Sequence, residues 1–133
     1  MLTYNKAKYL FTGDITPSHF NEIIDDIRGK NNTTNIELLK LPHHASYRSI
    51  NSEILQKMNC QNFVISTNSK KHFLPNKRAI SKIINNRKSK EPINFYFNYG
   101  EVIAILNLYK SEMIEHNLEL FPNNKNYGYV FDI

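Results

Sequence analysis

The chain reads as an α/β domain whose neighbouring strands run parallel. Three observations carry that reading. Short apolar runs at Tyr9–Phe11, Ile36–Leu41 and Phe63–Ile65 each stop at a turn signal: Gly13-Asp14, Pro42 and Thr67-Asn68-Ser69. Apolar residues at helical spacing fill the gaps between them. The resulting order, strand then helix repeated, favours a parallel sheet.

In chain order, Tyr9-Leu10-Phe11 is the first strand. Thr16 supplies an N-cap oxygen and Pro17 suits the first helical position. Phe20, Ile23, Ile24 and Ile27 then make one helix face, which Gly29 and Asn31-Asn32 end. Ile36–Leu41 is the second strand, and Ser49 is expected to cap a helix with Ile50, Ile54, Leu55 and Met58 inward. After Phe63–Ile65, Asn76 caps a third helix that buries Ile80, Ile83 and Ile84. Asn94–Phe97 reads as a fourth strand. Val102, Ile105, Leu106, Tyr109 and Met113 recur at helical spacing, and Tyr129–Ile133 reads as a terminal strand.

With 133 residues, 41% apolar and 22% charged, one domain spanning 1–133 is expected. No apolar run is long enough to span a bilayer, and no signal-peptide pattern occurs, so membrane and secreted classes are disfavoured and a cytoplasmic protein is expected. The single Cys60 precedes an apolar run and reads as a buried reduced thiol. The net charge of +5 is uneven. Between residues 70 and 90 lie Lys70, Lys71, Lys77, Arg78, Lys82, Arg87, Lys88 and Lys90, with no acidic residue. That stretch suits either a phosphate or nucleic-acid ligand or a solvated helix face.

Two motifs carry the chemistry: Thr12-Gly13-Asp14 and Pro42-His43-His44-Ala45-Ser46. Each follows a strand. Right-handed crossovers bring the ends of successive parallel strands to one sheet edge, about 4.8 Å apart. A carboxylate, an imidazole and the 66–72 turn would then meet around one ion or phosphate. Taken singly, Gly-Asp is often only a turn and a His pair only a polar loop. Two ligands are also too few, because a catalytic zinc takes three protein ligands and a water.

The ordered blocks Tyr-Leu-Phe-Thr-Gly-Asp, Leu-Lys-Leu-Pro-His-His-Ala-Ser and Ile-Ser-Thr-Asn-Ser resemble those of metallo-β-lactamase-fold metallohydrolases. The likeness is to the hydrolase domain of competence (DNA-uptake) proteins, over about residues 8–85. The resemblance implies the C-terminal half of an αββα sandwich, acting on a phosphoester or nucleic acid through two divalent ions, zinc first and manganese as the alternative. It makes Asp14 the metal-bridging aspartate and His44 the last metal ligand, by its distance ahead of Ser49. His43 would then be a catalytic-pocket residue facing substrate. Ser46 and the 68–72 turn, with Asn68, Lys71 and His72, would contact substrate.

The sequence departs from the family at three places. The His-x-His-x-Asp-His block is absent from the 133 residues, Ala45 stands where Gly is usual, and Leu74-Pro75 stands for His-Pro. The implied enzyme is therefore inactive as this chain alone and needs an N-terminal half, or a homo-oligomer, as partner. The competing expectation is a non-catalytic interaction or nucleic-acid-binding module from a truncated or split gene, with an uncovered sheet face.

Overall fold

A computed structural model describes residues 1–70, 73–123, 125 and 129–131. The strands are β1 (Leu2–Tyr4), β2 (Ala7–Phe11), β3 (Thr34–Asn35), β4 (Leu38–Lys40), β5 (Met58–Asn59), β6 (Asn62–Ile65), β7 (Ile93–Phe97) and β8 (Leu118–Phe121). The helices are α1 (Pro17–Arg28), α2 (Ser52–Gln56), α3 (Lys77–Asn86) and α4 (Lys110–Glu115). Among the described residues the main sheet has the order β1-β2-β4-β6-β7-β8, and β3 pairs with β5 separately. Only β1 is antiparallel to its neighbour; β2, β4, β6, β7 and β8 run parallel. The α/β class with a mostly parallel sheet is thus as expected. Among the described residues no helix is long and apolar enough to cross a membrane.

Local chemistry sets the element ends. Thr16 Oγ1 accepts from the His19 amide and Pro17 opens α1, while Gly29, at φ +57°, closes it. Asn76 Oδ1 accepts from the Arg78 amide at the start of α3. The second helix differs from expectation. Asn51, not Ser49, is its cap, with Oδ1 accepting from the Ile54 amide at 2.9 Å, and Ser49 is buried in the preceding turn.

The stretch after β7 also differs. A 3₁₀ segment (Gly100–Leu106) and the short α4 replace one continuous helix, because Asn107 takes a left-handed conformation between them. Ile105 and Tyr109 are accordingly exposed. Residues 129–131 are not strand; Asp132 and Ile133, which the expected terminal strand includes, lie outside the described residues. The parallel edge strand is instead β8, with Leu118 opposite Ile93 and Leu120 opposite Phe95.

Strand alternation splits the sheet into two faces. Leu10, Leu39, Phe63 and Phe95 lie side by side in register and pack with Phe20, Ile24, Ile54, Ile80, Ile83 and Val102 in one core. Phe63 and Phe95 stack with ring centroids 5.5 Å apart. The other face carries Tyr9, Phe11, Lys40, Val64, Tyr96 and Phe121, and none of the helices just described packs there through its core residues. Phe121, Tyr129 and Phe131 gather around Tyr96. Strands added in sequential order with one crossover hand put every helix on the same side, which explains the asymmetry.

Candidate functional site

The carboxyl ends of β2, β4 and β6 are neighbours, and backbone bonds join the loops that leave them. The His43 amide donates to Gly13 O at 2.9 Å, and Thr12 Oγ1 donates to Lys40 O at 2.7 Å. The Gly-Asp turn and the histidine loop are therefore one structure. The Asn76 amide donates to Ala45 O at 3.2 Å, which ties the start of α3 to the same loop. Asp14, His43 and His44 are all exposed at this edge.

The histidine loop has an unusual backbone. His43, His44 and Ala45 have φ of 46°, 56° and 64°, three successive residues in the left-handed region. Each such residue with a Cβ costs roughly 1–2 kcal/mol. Residues held this way cluster at functional sites, where surrounding bonds impose the conformation. Here the bonds to Gly13 and Asn76 do so, together with Ser46 N–H to His43 O at 3.0 Å.

The two imidazoles stand edge to face, with centroids 6.4 Å apart. His44 Nδ1 is bonded to the carbonyl oxygen of Ser66. A carbonyl only accepts, so Nδ1 carries a proton, which in the neutral ring leaves the lone pair on Nε2. That is the arrangement by which a metal-ligating histidine is oriented from behind. The turn supplying Ser66 is held by Asn98, just after β7, which accepts from the Thr67 amide and donates to Ser66 Oγ, both at 3.1 Å. Asn98 is a positioning residue that strand and helix patterns did not reveal; its signal is a lone polar residue ending an apolar strand.

The remaining expected site residues have these places. Ser46 Oγ accepts from the Arg48 amide at 3.4 Å within the loop. Asn68 is exposed, and its Oδ1 accepts from the Lys70 amide at 3.1 Å. Lys71 and His72 lie outside the described residues. Among the described residues no group of three or more His, Cys, Asp or Glu is placed to hold a metal ion. Asp14 and His44 fit a metal's chemistry as donors but do not complete a coordination sphere.

Much of the basic 70–90 segment serves the fold. Lys77 pairs with Glu112 at 2.9 Å, Lys82 donates to Tyr47 O and Ile50 O, Arg87 donates to His116 O, and Lys88 donates to Gln56 O. Tyr47 adjoins the site, and Arg48 donates to its phenol oxygen at 3.4 Å. That bond and the Arg48 charge hold the phenol below its usual pKa, with Arg78 and Lys82 adding to the effect. Away from this edge, burial pushes the Cys60 thiol up to about 12, so it is un-ionised and chemically quiet at neutral pH.

Comparison with protein-family models, with curated proteins and with solved structures gives no match.

Proposed function

We propose that this chain is the C-terminal half of a metallo-β-lactamase αββα sandwich and contributes to a metal-dependent hydrolase of phosphoesters. The observation carrying this reading is the bond from the His43 amide to Gly13 O, which fuses the Asp14 and His44 loops at one sheet edge. The single-sided sheet adds support. Parallel sheets are normally covered on both faces, and a second sheet would cover the face that leaves Leu2, Tyr4 and Phe11 exposed.

In this reading Asp14 and His44 each give a ligand, and His43 faces the substrate. The remaining ligands come from a completing half, because a catalytic zinc needs three from protein. Bound zinc or manganese would supply Lewis acidity and an activated water. This chain's own part is to hold His44 in one tautomer through Ser66 and to fix both loops against each other.

The test is reconstitution. Phosphodiester hydrolysis should be absent from the chain alone, should appear when a ligand-bearing N-terminal half is fused or added, and should vanish in Asp14→Ala. Hydrolysis that persists in Asp14→Ala would contradict the assignment. The second reading, a non-catalytic nucleic-acid-binding module, draws on Arg48 and Arg78 beside the histidine loop, which among the described residues meet no carboxylate; it predicts binding without hydrolysis in any reconstituted form.

A further inference from the structure

Just beyond the paired histidines, positive charge converges on one ring. Arg48, Arg78 and Lys82 lie 5.8, 5.7 and 5.4 Å from the centroid of Tyr47. Lys82 is engaged by the fold, its Nζ 2.7 Å from Tyr47 O and 3.0 Å from Ile50 O. Arg48 and Arg78 are exposed, and among the described residues neither guanidinium forms an ion pair.

What sets these two apart is that both guanidinium groups, with Lys82, converge on one ring. Lys57, Arg28 and Lys77 all meet carboxylates. Like charges drawn to one ring repel each other, and an exposed cation–π contact returns only about 0.5–1 kcal/mol. A bound anion would relieve the repulsion. Two guanidinium forks suit phosphate oxygens in particular, because their planar donor pairs match phosphate geometry.

The cluster also has a defined position. Arg48 follows the histidine loop directly, and Arg78 stands two residues after Asn76, whose amide is bonded to Ala45 O. On the loop between β6 and α3, five residues ahead of Arg78, Phe73 is 87% exposed. Exposed aromatic rings and cations together hold single strands, through base stacking and phosphate contact.

We infer that Tyr47, Arg48 and Arg78 form a phosphate-binding lip for single-stranded nucleic acid, with Phe73 as a stacking surface for a base. The inference rests on the phosphoester reading for the lip's relation to Asp14 and His44, but binding at the lip requires no metal.

The experiment is fluorescence anisotropy of a labelled oligothymidylate with the intact chain in EDTA, over a salt series. The Arg48→Ala/Arg78→Ala double variant should weaken binding about tenfold and reduce the slope of log affinity against log salt by about 1.4, as expected for two lost phosphate contacts on a single strand. Phe73→Ala should weaken binding with the salt slope unchanged. Lys30→Ala/Lys90→Ala, which removes equal charge from exposed positions, should change affinity less than twofold.

Equal losses in the two double variants would overturn the lip, since only general charge would matter. So would unchanged binding in Arg48→Ala/Arg78→Ala, or a heparin fragment that binds the chain as tightly as the oligonucleotide. Circular dichroism of each variant separates lost binding from lost folding. Because no metal is present, a negative result here leaves the Asp14–His44 assignment standing, and failure of that assignment leaves this result standing.

Discussion

On the helix-covered face of the sheet, Leu39, Phe95 and Phe97 are fully buried, whereas on the other face Tyr9 and Leu38 are buried but Leu2, Tyr4 and Phe11 are each more than half exposed. Within β2 alone Leu10 is buried and Phe11 exposed, so strand propensity does not separate the faces. Connectivity does: sequential parallel strands with one crossover hand send every helix to one side. The comparison teaches where this molecule's own stability lies and where it has surface left to cover. The candidate site stands at the edge of the sheet, on the loops that leave β2 and β4.

The largest expected effects test the covered face. Phe95→Ala should cost about 3–5 kcal/mol in urea unfolding, through lost burial and the cavity left against Phe63. Phe11→Ala on the opposite face should stay within about 0.5 kcal/mol. A Phe11→Ala cost comparable to that of Phe95→Ala would break the contrast and reveal that the second face is covered in solution. Next in size, Asn51→Ala removes the α2 cap and should cost about 1 kcal/mol; no loss would mean that α2 is held by packing through Ile54 and Leu55 alone.

Smaller effects sharpen the account of the site edge. Ala45→Gly relieves a residue at φ 64° but removes a buried methyl. About 1–2 kcal/mol of relief against about 0.8 kcal/mol of lost burial predicts a net gain below about 1 kcal/mol. A clear destabilisation would contradict the strained loop.

The smallest effect concerns acid. Lys57 and Arg28 hold Asp25 below the usual carboxylate range, and Lys57 with Asn21 does the same for Glu53. Lowered folded pKa values mean that this contribution is complete above the ordinary carboxylate range and is lost as pH falls through the folded values. Unfolding midpoints measured from about pH 5 to pH 3 should therefore fall, and Lys57→Met should flatten the decline. An identical slope in Lys57→Met would assign the acid sensitivity elsewhere.

The strands β2, β6 and β7 and the helices α1 and α3 were legible because each combines a clear period with a cap or stop, such as Thr16-Pro17, Gly29 and Asn76. The helix expected across 102–113 was misread because periodicity alone does not register a left-handed Asn107. The edge strands β1 and β8 were missed: each is short and bounded by polar turns, and its pairing is set by neighbours distant in sequence. At the site, the order of the motifs foretold that the Gly-Asp and His-His loops would share an edge. What sequence did not reveal is tertiary: the carbonyl of Ser66 behind His44, Asn98 behind Ser66, and the meeting of Arg48 and Arg78 over Tyr47. Charge counting likewise overstated the 70–90 segment, where Lys77, Lys82, Arg87 and Lys88 are occupied by groups of the protein itself.

The central claim is that Asp14 and His44 form part of a metal site and that this chain supplies no more than part of it. Zinc content after equilibrium dialysis of the intact chain tests it most directly, alongside Asp14→Ala, His44→Ala and His43→Ala. The account predicts weak, readily chelated zinc that is lost in Asp14→Ala and His44→Ala and retained in His43→Ala. Tight stoichiometric zinc on the isolated chain, or zinc indifferent to Asp14 and His44, would contradict it.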